Sequence, residues 1–249
     1  MFNIPEDTWI SGPLELLEHA ALHIKEGKEF DLRIALISID NAVEIAIKIF
    51  LTMNRRTIGL SRKRFNDSKQ HFPTLLDILW EYIPKKTSES DLDAIEYYHK
   101  IRNNLYHEPV GITAKLRIVE LYFTLANNLI SELFDIREEK RKEFKFSDFN
   151  EKFKVFLEVW EKIRANLNNF TLTQGLVPTI TKPYNISKVL FALVKNEKIE
   201  KGFEKKIFTM YEIRSQIVHN KRDFNLEDLD KFIQELNEID EELITIMNR

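Results

Sequence analysis

Apolar residues recur three and four positions apart along most of the chain, the period of a helix buried on one face. Leu14, Leu17, Ala21 and Ile24 form one such run, which ends at Gly27. A richer run through Leu36, Val43, Ile47 and Phe50 covers about residues 31–53. The short break between them predicts an antiparallel helical hairpin. A shorter helix follows Pro73, with Leu75, Leu76, Leu79 and Tyr82 inward and Pro84 as its stop. Helical patterns then cover about 91–107 and, from a cap at Thr113, the stripe Leu116, Val119, Phe123, Ala126, Ile130 and Leu133. No segment alternates apolar and polar residues persistently enough for a strand, so the expected fold is all-α.

Beyond a dense stretch of mixed charge from Arg137 to Phe146, the plan recurs in shorter form. One helix carries Phe153, Phe156, Leu157, Trp160 and Ile163, and a loop holding Pro178 and Pro183 leads to a short helix near Ile186. A further helix covers about 202–219, and the last has Leu229, Phe232, Leu236, Ile239, Leu243 and Ile244 in register. Two domains are therefore expected, residues 1–136 and 137–249, each large enough to bury a core.

The repeated plan carries a repeated motif. Arg102-Asn103-Asn104-Leu105-Tyr106-His107 returns in chemical outline as Arg214-Ser215-Gln216-Ile217-Val218-His219, 214 − 102 = 112 residues later. Each copy closes a helix, precedes a short breaker and leads into a long amphipathic helix. A fixed guanidinium suits a phosphate, and a histidine exchanges protons near neutral pH, so the pairing reads as phosphate chemistry. Five positions along a helix turn about 500°, which leaves Arg102 and His107 roughly 140° apart. One copy therefore cannot close both groups around one phosphate, whereas two facing copies can. Asn103 and His107 are four apart and share a face, so the amide is placed to orient the ring or touch a phosphate oxygen.

An all-α unit with an arginine-x4-histidine signature at the end of one helix resembles the HEPN superfamily, many members of which cut RNA. The family often has a polar residue, commonly asparagine, after the arginine. Arg102-Asn103…His107 has that form, and Arg214-Ser215…His219 is a looser match. Glu44 and Lys48 resemble an acidic-then-basic pattern also seen there, and equally form an ordinary i,i+4 helix pair. The resemblance implies two helical-bundle HEPN-like halves arranged as an internal pseudo-dimer, with Arg102, His107, Arg214 and His219 converging. It implies a metal-independent endoribonuclease without cofactor, acting as a toxin or phage-defence effector. The alternative is a non-catalytic module that binds nucleotide, RNA or protein. Expected partners are RNA, a protein partner such as an antitoxin, or a second copy of the chain. Members paired with nucleotidyltransferase antitoxins carry a tyrosine two positions past the histidine, where this chain has Pro109 and Lys221.

Composition narrows the rest. With 37 basic against 40 acidic side chains the net charge is −3, so nucleic-acid binding has to be local. Arg55, Arg56, Arg62, Lys63, Arg64 and Lys69 around Gly59 form the most basic stretch, a polar loop expected to contact RNA. The chain has no cysteine, which removes thiolate nucleophiles and thiolate metal sites. Its first residues lack the basic segment and apolar run of a secretion signal, no stretch has the apolar length of a membrane span, and a cytoplasmic protein is expected. Glu15, His19 and His23 follow i, i+4, i+8 and present a weak candidate metal face. The eight acids of the last helix, Asp240 among them, read as a solvated face.

Overall fold

The computed structural model describes residues 6–84, 86–87, 89–107, 114–136, 144–176 and 186–248, with side chains for all of these but 6–8, 89, 90, 106 and 107. Among the described residues there are ten α-helices and no strand, an all-α protein. The chain divides into two compact units, Met1–Phe146 and Ser147–Arg249.

The first unit is built on a hairpin of α1 (Glu6–Glu26) and α2 (Glu29–Asn54), joined through Gly27 at φ 66°. Leu17, Ala20, Ala21 and Ile24 of α1 are buried, and so are Ala35, Leu36, Ile39, Ala42, Val43 and Ala46 of α2. The alanines let the helices approach closely, while each large apolar side chain removed from water stabilises by about 1.5–3 kcal/mol. α2 is the hub. It also packs against α4 (Phe72–Tyr82), α5 (Glu89–His107) and α6 (Leu116–Leu133), so its buried positions cover more than one face.

The basic stretch after α2 is not all loop. A turn at Gly59, φ 73°, reverses the chain, and the short helix α3 (Arg62–Ser68) follows. Ser61 caps it, its hydroxyl accepting from the Arg64 backbone N–H at 3.2 Å. The expected cap at Thr113 lies outside the described residues, and α6 begins after Lys115 with no side-chain cap bond.

Among its described residues the second unit has four helices, α7 (Asp148–Thr173), α8 (Ile186–Lys195), α9 (Lys201–Val218) and α10 (Leu226–Met247). Ser147 caps α7, and Asn225 with Asp228 forms a reciprocal capping box at α10. α7 and α10 make the main packing pair, with α8 against α7 and α9, and α9 against α10. Phe153, Phe156, Trp160, Ile163 and Leu167 on α7 meet Leu229, Leu236, Ile239 and Leu243 on α10 in the core. Pro178 and Pro183 lie outside the described residues.

The last helix departs from the reading of a uniformly solvated acidic face. Asp240 is buried, and its carboxylate accepts from Lys162 at 2.6 Å and Asn166 at 3.0 Å on α7. Its place in the helix explains this, since it falls four residues after Leu236 and three before Leu243, on the core stripe. A carboxylate there needs partners, and α7 supplies them.

Candidate functional site

In the first unit the chemistry gathers around one carboxylate. Asp40 has no exposed surface. It lies four residues after Leu36 and three before Val43, so the periodicity that buries those residues buries it too. Ile95, Tyr98, His99 and Arg102 occupy one stripe of α5, and the polar end of that stripe meets Asp40. His99 places Nδ1 at 3.0 Å from each Asp40 oxygen, and the Tyr122 hydroxyl of α6 donates to Oδ1 at 2.9 Å. Arg102 brings Nε to 3.2 Å from Oδ2, a charge contact in which the N–H is not aimed well enough to be a hydrogen bond.

The rest of the Arg102 guanidinium is held as firmly. One terminal nitrogen donates to Asn41 Oδ1 at 3.1 Å and the other to Asn103 Oδ1 at 2.9 Å. Asn103 thus orients the arginine of its own motif. The Arg102 side chain keeps about a fifth of its surface, 21%, in contact with solvent, and that of His99 keeps 12%. The His99 ring stacks on Phe72 of α4, with centroids 4.2 Å apart, and Tyr98 stacks on Tyr122. Burial and the adjacent Asp40 hold the Tyr122 phenol well above its ordinary range, so it stays a hydrogen-bond donor. His107 ends α5, with its side chain outside those described.

The second copy is built differently. Arg214 is buried in α9, only 1% exposed, and desolvation lowers its pKa to about 10, which leaves it charged at neutral pH. His219 follows the last turn of α9, its backbone N–H donating to the Ser215 carbonyl at 3.0 Å. Its imidazole is half-buried and held below its ordinary pKa by desolvation first, then by the positive charges of Lys221 and Arg214. Grooves in the second unit run along α9 and α10 at Lys205, Thr209, Glu235 and Glu242, and at the α8–α9 turn near Glu197 and Lys201. Arg214 and His219 line neither.

The basic stretch divides in two. Arg56, Arg62 and Lys63 point into solvent. Arg55 donates to the Leu60 carbonyl at 3.4 Å, closing the turn. Arg64 is engaged by α4, with one nitrogen donating to Glu81 at 3.0 Å and to the Tyr82 hydroxyl at 3.2 Å, and its guanidinium 5.3 Å from the Tyr82 ring centre. Glu44 and Lys48 form the i,i+4 pair, at 2.5 Å. His23 is bonded to Asp31 at 2.7 Å, with the His19 ring edge-on to it. Among the described residues no three His, Cys, Asp or Glu side chains cluster as metal ligands would.

The sequence singles out Arg102 and Asn103 but not Asp40 and Asn41, which contact the arginine, nor His99 and Tyr122, which contact Asp40. The available signal was an aspartate on the apolar stripe of the most hydrophobic long helix. Comparison of the chain with family models, curated proteins and solved structures finds no match. Among the described residues no helix is long and apolar enough to cross a membrane.

Proposed function

We propose that the chain is a metal-independent endoribonuclease of HEPN-like type, and that the motif of the first unit is its working copy. The observation that supports this reading is Arg102, fixed at the end of α5 by Asp40, Asn41 and Asn103 and still partly open to solvent five residues before His107. An arginine whose orientation is set in advance stabilises the charge that gathers on phosphoryl oxygens without reorganising when it does so. In the reaction the ribose 2′-oxygen bonds to phosphorus and the P–O5′ bond breaks. A histidine takes the 2′-hydroxyl proton, a second group gives one to the 5′-oxygen, and the products are a 2′,3′-cyclic phosphate and a 5′-hydroxyl. Activity as a toxin or phage-defence effector in the cytoplasm, restrained by a protein partner, belongs to the same proposal.

A second reading, a non-catalytic RNA- or protein-binding module, is favoured for the second copy by the burial of Arg214. One substitution series separates the two. RNA cleavage is measured for His107→Ala, His219→Ala and the double variant, with folding checked by circular dichroism. The endoribonuclease reading expects His107→Ala to lose most of the rate. Copies that act as a unit make the double variant little worse than either single one, and independent copies make only the double variant inactive. A full rate in His107→Ala leaves the binding module as the better account.

A further inference from the structure

The residue that Arg102 needs as a proton-exchanging companion is present in the first unit, three positions before it. His99 and Arg102 are i,i+3 on α5, about 60° apart around the helix, whereas Arg102 and His107 diverge by roughly 140°. Both side chains touch the same fully buried carboxylate, His99 through Nδ1 at 3.0 Å and Arg102 through Nε at 3.2 Å. A carboxylate on Nδ1 fixes which ring nitrogen carries the proton and turns Nε2 away as the acceptor, the arrangement by which a buried aspartate prepares a histidine to act as a base. Stacking on Phe72 and the Tyr122 hydrogen bond to Asp40 fix the ring and the carboxylate in turn. Asp40 and Phe72 hold the imidazole in place, and the His99 side chain keeps 12% of its surface in contact with solvent.

We propose that His99 is the general base of the RNA cleavage, with Asp40 as its positioning residue, an assignment that rests on the ribonuclease reading above. His99 Nε2 takes the proton of the 2′-hydroxyl as the O2′–P bond forms. The P–O5′ bond breaks, a second group gives its proton to the 5′-oxygen, and Arg102 stabilises the phosphoryl oxygens. Asp40 stabilises the imidazolium that forms at His99, as the donors around it leave the carboxylate oriented toward the ring. Among the described residues, Asp40 from α2 bonds to His99, Arg102 from its own helix and Tyr122 from α6 reach it through Asp40, and α4 contributes Phe72.

The test compares wild type, His99→Gln, His107→Gln and Arg102→Lys on two RNAs, one ordinary and one with sulfur in place of the bridging 5′-oxygen. The sulfur leaving group departs without a proton, so it bypasses a missing acid and cannot bypass a missing base. His99→Gln is expected to lose a hundredfold or more of the rate on both RNAs, the scale of acid–base catalysis. Its rise in rate with pH should flatten, and its affinity for an uncleavable 2′-deoxy analogue should stay within about threefold of wild type. Wild-type rate in His99→Gln, or its recovery on the sulfur substrate, overturns the assignment while loss of activity in His107→Gln and Arg102→Lys keeps the ribonuclease reading. No cleavage by wild type overturns both. Should His99→Gln not fold, nitrogen NMR of the wild type decides. The His99 titration midpoint must coincide with the acid limb of the rate profile, and a mismatch overturns the assignment.

Discussion

Asp40→Asn is the substitution that most sharply probes the cluster on which the first unit's chemistry rests. The carboxylate is fully buried and meets two donors, the Tyr122 hydroxyl at 2.9 Å and His99 Nδ1 at 3.0 Å, with Arg102 Nε in charge contact at 3.2 Å. Asparagine keeps the volume and one acceptor oxygen, but its amide points N–H groups at a site already surrounded by donors. Breaking a buried charge pair costs about 3–5 kcal/mol, and the retained acceptor recovers part of that, so a loss of about 2–4 kcal/mol is expected. In a unit of this size each kcal/mol lowers the melting temperature by about 2–4 °C, so a mid-range loss moves it by about 6–12 °C. Urea unfolding followed by far-ultraviolet circular dichroism measures this, with Glu44→Gln as the control. That residue pairs with Lys48 on the surface, its side chain 29% and the lysine's 37% exposed, and should cost no more than about 0.5 kcal/mol. A double-mutant cycle with Arg102→Gln should give a coupling above about 1 kcal/mol. An Asp40→Asn loss no larger than that of Glu44→Gln, or zero coupling to Arg102, refutes the reasoning that this carboxylate holds the arginine.

Two further outcomes follow from the site. His219 is held below its ordinary 6.5, so between that lowered value and 6.5 the unfolded chain binds a proton that the folded chain does not. The stability of the second unit therefore rises with pH through that window, His219→Gln flattens the slope, and Lys221→Ala raises the histidine's NMR midpoint; a midpoint at or above 6.5 in the wild type contradicts this. Replacing the exposed Arg62 and Lys63 by alanine should weaken single-stranded RNA binding and reduce the slope of log K against log salt by about 1.4. Arg64→Ala should change it little, because Glu81 already neutralises that guanidinium, and equal slopes in all variants would remove the stretch from the RNA site.

The helices were legible because period 3.6 is written in the apolar positions, and the structure places helices over each of the expected stripes it describes. Less legible was what sits among those positions. Asp40 and Asp240 occupy the same place in their patterns, four after one core leucine and three before another core apolar residue, Val43 or Leu243, yet an acidic side chain inside a helix reads by default as solvated. Partners 59 to 82 residues away in sequence decide otherwise, and spacing rules within one helix cannot see them. The same limit hid α3, whose seven residues, Arg62–Ser68, are too few and too polar for a periodic signal and depend on the Ser61 cap and on packing against α4. Arg102 was visible through its motif; its orientation was not, since Asn41 and Asp40 come from another helix.

The decisive observation is the kind of ends that the protein leaves on RNA. Purified chain is incubated with single-stranded RNA in excess chelator and the products are resolved by mass spectrometry. A base and an acid drawn from histidine, with an arginine on the phosphate, require no metal and use the 2′-hydroxyl as nucleophile. The predicted result is cleavage to 2′,3′-cyclic phosphate and 5′-hydroxyl ends, abolished by Arg102→Ala and absent on DNA of the same sequence. Cleavage that depends wholly on added divalent metal, or that proceeds equally on the DNA, contradicts it.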